Sequence, residues 1–328
     1  MRILITGAGG YVGSLLTTRL LADPTVDKVV ATDLDLSRHG GSWPSSDKLV
    51  LELGQLHDPA FVDRLKRHLP IDIVIHAAFQ MRAGYGRHGV TVASTNIESC
   101  RNVFEYCFAN KVGRLLYFSS AAAYGAREGN VARFFFREDE PLREERYPYG
   151  VQKRLVEELL QSRYRELKPA TVTIVLRPCS VTGPLGQRSP NKAISLISFL
   201  KRLLPVIPEI SPEWARQFLH EEDLVRVVQT LLSTPLRGYE VFNLAPHDYL
   251  TASDMAAVLK KKTVRVPAWM VQVVFFVLWH LTRGRVPTAP GAINSFRYPI
   301  NMDGRKIQQT GFEYRYKSKA ALLADNES

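Results

Sequence analysis

Tyr149 and Lys153 stand four residues apart in a stretch of helical period, so both side chains fall on one face of a helix. A tyrosine acts as acid or base near neutral pH only when its phenolate is stabilised, and a lysine one turn away supplies positive charge that would lower the phenol pKa. Ser119-Ser120 closes an apolar run of strand type, at the end of a strand where an open parallel sheet binds its ligands. Ser120 could hold a reacting oxygen there. A Tyr–Lys pair also occurs on plain exposed helices, so the pair alone decides nothing.

A second constellation suits the missing partner of such a base. The apolar run Arg2-Ile3-Leu4-Ile5-Thr6 breaks into Gly7-Ala8-Gly9-Gly10 and opens into a helical pattern from Tyr11 to Leu21. Gly7 and Gly10 are expected to take backbone angles closed to other residues and to admit a pyrophosphate, while Gly13 lets helix and strand pack closely. The free N–H groups and positive dipole end of the helix then face the anion. A second strand, Lys28-Val29-Val30-Ala31-Thr32, ends at Asp33, 20 residues beyond Gly13. A carboxylate there accepts hydrogen bonds from ribose hydroxyls and repels a 2′-phosphate, which selects NAD over NADP; Arg38 is the one neighbour that argues otherwise. Bound oxidised nicotinamide would add its own positive charge beside Tyr149.

The elements that must position these residues alternate. Leu49 to Leu53 reads as a strand, Asp58-Pro59 opens a helix, and Asp72 to His76 is a continuous apolar strand. Gln80 to Gly89 is rich in glycine and arginine, Thr91 to Asn110 is helical, and Leu115 to Ser119 is a strand. A loop from Gly125 to Pro148 leads into the helix from Tyr149 to Leu167, and the strand Thr171 to Leu176 follows. Such repetition predicts an α/β fold, a Rossmann-type doubly wound parallel sheet, as a nucleotide-binding domain over 1–178. Beyond Pro178 the alternation fails, and 179–328 reads as a smaller substrate lobe, with 221–243 returning to the sheet domain. Its pieces include helices over Lys192–Leu203 and Glu221–Leu232 and a strand at Glu240–Phe242. The most apolar run, Trp269 to Leu281, is too short to span a bilayer and is expected to be a buried helix of that lobe, with a membrane-surface or lipid-facing helix as the alternative.

The 43 Lys+Arg against 32 Asp+Glu leave +11, yet the basic residues are scattered and no base-reading motif appears. Nucleic acid is therefore not expected as a partner, and phosphate-bearing ligands are. Three cysteines, Cys100, Cys107 and Cys179, form neither a disulfide framework nor a metal spacing, and with a first strand starting at residue 2 they predict a cytoplasmic protein without a signal peptide. His76 and His220 sit at element ends among apolar residues, in structural or cofactor-lining roles, so no metal is expected.

The cofactor loop Gly7-Ala8-Gly9-Gly10-Tyr11-Val12-Gly13, Asp33, His76-Ala77-Ala78, Asn96, the serine segment Ser119 to Gly125, the acidic-proline loop Glu138 to Leu142, Tyr149-Gly150-Val151-Gln152-Lys153, and the blocks Leu176 to Pro184 and Arg216 to Asp223 cover nearly the whole chain. Together they resemble the short-chain dehydrogenase/reductase superfamily, in its extended type, the NAD-dependent epimerase/dehydratase family. The resemblance implies Ser120, Tyr149 and Lys153 as the catalytic set. For NAD it implies Gly7, Gly10, Tyr11, Val12, Gly13, Asp33, Gln55, Leu56, Ala77, Ala78, Asn96, Ser119, Tyr149, Lys153, Pro178 and Val181. For substrate it implies Gln80, Ser120, Ala121, Tyr149, Ser180, Asn191 and Arg216.

The departures narrow the chemistry. Gln55 stands where the family usually places an aspartate that reaches the adenine. Ala121-Ala122 stands where sugar dehydratases carry an Asp-Glu pair, so elimination of water is disfavoured. Ser180 replaces an asparagine of many sugar-nucleotide members, and the segment from Pro184 to Arg216 is short for a large nucleotide-sugar pocket. The resemblance is to sugar epimerases, and Asn191, Arg216 and the net charge suit a diphosphate. The expected activity is hydride transfer at a secondary alcohol or ketone of a nucleotide sugar. The alternatives are a dehydrogenase of a sterol- or lipid-like alcohol, for which the apolar run argues, and a non-catalytic NAD sensor, against which the complete Ser, Tyr and Lys set argues. A homodimer through the helices Thr91–Asn110 and Tyr149–Leu167 is expected, with Val103, Phe104, Leu155, Val156 and Leu159 as apolar contacts.

Overall fold

The computed structural model describes residues 1–36, 43, 45–82, 84–184 and 205–324. Arg38, Asn191 and the helix expected over Lys192–Leu203 lie outside the described residues. Seven parallel strands form the main sheet. They are β1 (Arg2–Thr6), β2 (Lys28–Asp33), β3 (Leu49–Leu53), β4 (Ile73–His76), β5 (Arg114–Phe118), Val172–Pro178 and Tyr239–Leu244. In space they run β3-β2-β1-β4-β5, then Val172–Pro178 and Tyr239–Leu244 at the far edge. Order reverses at β1, whose Thr6 pairs with Thr32 on one side and His76 on the other. Ligands of open α/β sheets bind at the carboxyl ends beside that reversal.

The strands are apolar because both faces are covered. Ile3 and Ile5 of β1 point into one core layer with Leu15, Leu16 and Leu20 of helix α1 (Tyr11–Leu21) and with Leu224, Val228 and Leu231 of the helix Glu221–Ser233. Leu4 points the other way, into a layer with Phe104 and Cys107 of helix α3 (Arg87–Ala109), Val156 and Leu160 of helix α4 (Pro148–Leu167), and Phe61 of helix α2 (Pro59–Arg64). Alternation of period two along the strand makes both layers possible.

Val103, Phe104 and Val156 belong to this second layer, each 2% exposed or less. They pack inside the chain, so the apolar contact expected of them between copies reduces to Leu155 and Leu159. Helical period shows that a face is apolar without showing what covers it.

The smaller lobe has its own core of Ile207, Trp214, Phe218, Leu250, Met255, Phe296 and Leu322. It is stitched to the sheet domain. The helix Glu221–Ser233 and the strand Tyr239–Leu244 return to the main core and sheet, and so do Ile307 and Phe312. Asp223 accepts hydrogen bonds from the backbone N–H groups of Arg315 and Tyr316, and Lys306 pairs with Glu240 at 2.8 Å.

One expectation fails outright. Trp269 to Leu281 does form a helix, Ala268–Leu281, but it lies on the surface with Trp279 as its one buried residue. Trp269 is 65% exposed, Phe276 64% and Leu281 77%. The run is apolar around nearly its whole circumference, and among the described residues its ring contacts are made by Phe275 on Phe296 and by Trp279 and His280 on Tyr85.

Candidate active site

The glycine turn begins where β1 must reverse into α1. Gly7 has φ 74, and its N–H and that of Ala8 both donate to the Thr32 carbonyl. A Cβ on Gly7 would come within 2.4 Å of the Ala78 N, and one on Gly13 within 2.1 Å of the Gly7 carbonyl oxygen. These two positions exclude side chains. Gly10 differs from expectation, because its φ of −84 and ψ of 172 are extended angles that any residue adopts. What remains for glycine there is open approach. Gly10 caps α1 without any side-chain hydrogen bond, so the first amides of the helix stay available to an anion.

Gly9 was not anticipated from the sequence. Its N–H donates to Asp33 Oδ2 at 2.8 Å, and a Cβ there would collide with the Asp35 carbonyl at 2.4 Å. The second glycine of a Gly-x-Gly-Gly run was the available signal. Asp33 also accepts from the Leu34 N–H at 2.7 Å, yet burial raises its pKa above the ordinary carboxylate value. A desolvated carboxylate of this kind gains from further donors such as ribose hydroxyls. Tyr11 donates its hydroxyl to Glu221 at 2.5 Å, and Val12 packs against the first core layer.

On the other side of the reversal, the Ala77 N–H donates to the Thr6 carbonyl, and Ala78 lies under Gly7. Asn96 is buried, and its amide holds protein groups: Nδ2 donates to the Gln80 carbonyl at 3.0 Å and to Gln152 Oε1 at 2.7 Å, and Oδ1 accepts the Gln80 N–H at 2.9 Å. Asn96 therefore anchors the loop that carries the exposed Gln80. Gln55 is exposed, while Leu56 is buried and its carbonyl accepts from Asn102. His76 is fully buried between Thr6 Oγ1 at 2.6 Å and Cys100 Sγ at 3.2 Å, and burial pulls its pKa down to about 3. His220 caps the helix Glu221–Ser233 by accepting the Glu222 N–H. Among the described residues no three His, Cys, Asp or Glu side chains are grouped to hold a metal.

Ser119 follows β5, and among the described residues its buried Oγ has no hydrogen-bond partner. Ser120 caps the short 3-10 turn Ala121–Tyr124, accepting from the Ala122 N–H at 3.2 Å, and its hydroxyl lies where it favours the Tyr149 phenolate. Two residues missed in the sequence bring Tyr149 to it. Glu144 Oε1 gathers the N–H groups of Glu145, Arg146 and Tyr147 at 3.0, 2.8 and 2.9 Å, fixing the entry to α4. Gly150 lets that first turn touch the serine segment, since a Cβ would lie 2.6 Å from the Ala122 carbonyl. The glutamate lies in a loop with no motif, so nothing in the sequence singled it out.

Lys153 is buried one turn on from Tyr149, with Nζ donating to the Phe118 carbonyl at 2.6 Å and 3.7 Å from the centre of the Phe79 ring. Burial lowers its pKa to about 8. The expected lowering of the phenol is not present here. Burial pushes Tyr149 up to about 12, opposed only by the Ser120 hydroxyl, and the ammonium sits 5.9 Å from the ring centre. Desolvation of an anion outweighs one hydrogen bond, and an oxidised nicotinamide would supply the further positive charge. Phe79, edge-on to Tyr149 at 5.7 Å, was also missed; the apolar letter after His76-Ala77-Ala78 was its signal.

Pro178 ends its strand, and Ser180-Val181-Thr182 pairs with Phe218-Leu219-His220, placing half-buried Ser180 and Val181 beside the same edge. Arg216 comes from the smaller lobe. Its guanidinium donates to the Ser295 carbonyl at 3.1 Å and covers the Phe296 ring at 5.3 Å. Burial lowers its pKa to about 10, countered by Tyr147, and among the described residues no carboxylate pairs with it. Ala121 packs with Tyr124 and Met302 below the mouth.

Helix amides at Gly10 left without a side-chain cap, a desolvated Asp33 and a Ser119 hydroxyl without a partner among the described residues fit a dinucleotide. A Bacillus subtilis protein named as an uncharacterised UDP-glucose epimerase is 26% identical over 79% of this chain and 79% of its own. The Thermotoga maritima UDP-glucose 4-epimerase, solved with UDP-glucose, superposes with a TM-score of 0.74 at 21% identity, covering 100% of this chain and 98% of that one. A Bordetella bronchiseptica enzyme solved with NAD and UDP gives a TM-score of 0.73 at 22% identity, covering 99% and 93%. At these identities the solved structures speak for the fold. The model of the NAD dependent epimerase/dehydratase family matches residues 3–245, and this chain belongs to that family.

Proposed function

We propose that the protein is an NAD-dependent oxidoreductase of the epimerase type, acting at a secondary alcohol or ketone carbon of a nucleotide sugar. The observation that carries the reading is Lys153 buried one turn on from Tyr149, its Nζ held by the Phe118 carbonyl at the carboxyl end of β5, with the Ser120 hydroxyl favouring the Tyr149 phenolate. NAD, when bound, supplies the hydride acceptor and donor. Ser120 holds the substrate oxygen, Tyr149 takes or returns its proton, and the Lys153 ammonium would favour the phenolate together with the positive charge of bound oxidised nicotinamide. Residues from Gly7 to Gly13, Asp33 and Ser119 hold the cofactor. Arg216 supports the nucleotide part, since a desolvated guanidinium that faces no carboxylate among the described residues is suited to a diphosphate. Relatives of this family solved with UDP or UDP-glucose support the same substrate class. The apolar run Trp269 to Leu281 no longer favours a hydrophobic alcohol, because its apolar side chains face away from the fold.

The test is purification without added cofactor, followed by mass spectrometry and thermal shift with UDP-sugars. Retained NAD and stabilisation by a UDP-sugar support an epimerase, whereas stabilisation only by apolar carbonyl compounds overturns the sugar reading. Tyr149→Phe should reduce turnover on the order of 100- to 10,000-fold while NAD still binds. Activity retained in that variant would refute the assignment.

The proposal extends to a cytoplasmic homodimer through α3 and α4. Unpaired cysteines suit a reducing compartment, and Leu155, 39% exposed, offers apolar contact. Sedimentation showing only a 37.0 kDa species at working concentration would remove the dimer.

A further inference from the structure

The helix Ala268–Leu281 is the outstanding unexplained surface of the molecule. It contains no Asp, Glu, Lys or Arg, and Trp269, Met270, Val273, Val274, Phe276 and Val277 are between 45% and 65% exposed. Monomeric soluble proteins seldom leave so continuous an apolar face in water. Fourteen residues extend only about 21 Å, short of the roughly 30 Å of a hydrocarbon core, so the helix cannot cross a bilayer.

Charge identifies what covers this face. Every charged residue between Asp254 and Asp303 is basic. Lys260, Lys262 and Arg265 stand exposed just before the helix, and Arg283 and Arg285 stand exposed just after it. Glu209 on the neighbouring strand pairs with Arg265 at 3.3 Å, leaving the Arg265 side chain 89% exposed. An apolar face with cations at both ends matches a helix lying flat at the boundary of acyl chains and anionic headgroups, and the exposed Trp269 is suited to that depth. A second copy seated symmetrically on the same face would bring its own cations against these, which opposes pairing.

We propose that this protein docks on anionic membrane surfaces through the helix Ala268–Leu281, with the flanking lysines and arginines on the headgroups. The inference is independent of the catalytic reading. The docked helix also adjoins the candidate site. Tyr85 hydrogen-bonds His280 at 2.8 Å, just beyond the loop that carries Gln80, and Phe275 packs edge-on to Phe296, the ring beneath Arg216. The bilayer would thus lie beside the substrate mouth.

The experiment is flotation of the full chain with phosphatidylcholine vesicles, with and without roughly a third phosphatidylserine. Binding to the anionic vesicles at low salt, weaker at high salt and on neutral vesicles, is the expected result. Brominated acyl chains should quench tryptophan emission of the bound protein, and less so in Trp269→Phe. Phe276→Asp should lower vesicle partition about tenfold or more with Tm and turnover unchanged, because the side chain already faces water. No flotation with anionic vesicles overturns the proposal. So does a dimer that dissociates on Phe276→Asp, which would make the face a contact between copies.

Discussion

Asp33 illustrates how one side chain couples local geometry to ligand choice. Its Oδ2 holds the Gly9 N–H, and partial burial raises its pKa despite the amides it accepts, so replacing it changes both the turn and the ribose site. Asp33→Asn should weaken NAD and narrow its advantage over NADP, since the repulsion of a 2′-phosphate disappears; fluorescence titration with both cofactors reads the ratio. His76 sets an acid limit on stability. The folded chain keeps its ring neutral down to about 3, while the unfolded chain takes up a proton near 6.5. The stabilisation is complete above the higher value and is lost as pH falls through this window, on the order of 5 kcal/mol in all. Denaturant titrations at descending pH should show the loss, and His76→Phe should flatten it. An unchanged profile in that variant would move the acid sensitivity elsewhere.

Elements were legible where two local signals agreed. α1 and β2 begin and end as the glycine turn and the apolar strand pattern indicate, because glycine chemistry and burial on both faces point the same way. α3 starts earlier than its period suggests, at Arg87, since Gly89 within the first turn disguises a helix that begins after the positive-φ Gly86. Ser120, Tyr149 and Lys153 converge as their spacing and strand-end position indicate. Of the residues that hold them, Gly150 and Phe79 meet partners distant in sequence, and Glu144 gathers the three amides that follow it from a loop without a motif, so none of the three stood out. The same is true of the apolar helix, whose composition tells that it is greasy and not which way it faces. Glu144→Gln should weaken its hold on three N–H groups, lowering turnover more than it changes the NAD affinity, with Tm falling as well. A deeper brace lies behind α4, where buried Glu157 pairs with Arg177, which also donates to Tyr124. Glu157→Gln leaves the guanidinium buried without a counter-charge and should cost about 3–5 kcal/mol of unfolding free energy, measurable by chemical denaturation.

At the scale of the whole molecule, the sheet domain and the smaller lobe share strands, helices and core residues. The chain leaves the sheet after Pro178, returns for the helix Glu221–Ser233 and the strand Tyr239–Leu244, leaves again, and is fastened once more by Lys306, Ile307, Phe312 and the amides of Arg315 and Tyr316. Removing the end of the chain therefore opens the nucleotide domain itself, as the loss of Ile307 and Phe312 from a shared core costs about 2–5 kcal/mol for each large side chain. Such stitching has a kinetic signature. In native-state amide hydrogen exchange the inner strands of the sheet and the Trp214–Phe218 region of the lobe should open together, as one cooperative unit with a common free energy, while the amides around Ala268–Leu281 exchange through smaller openings. Two well-separated protection levels for sheet and lobe would mean that the seam gives way first, and that the mouth between them opens by unfastening the end of the chain.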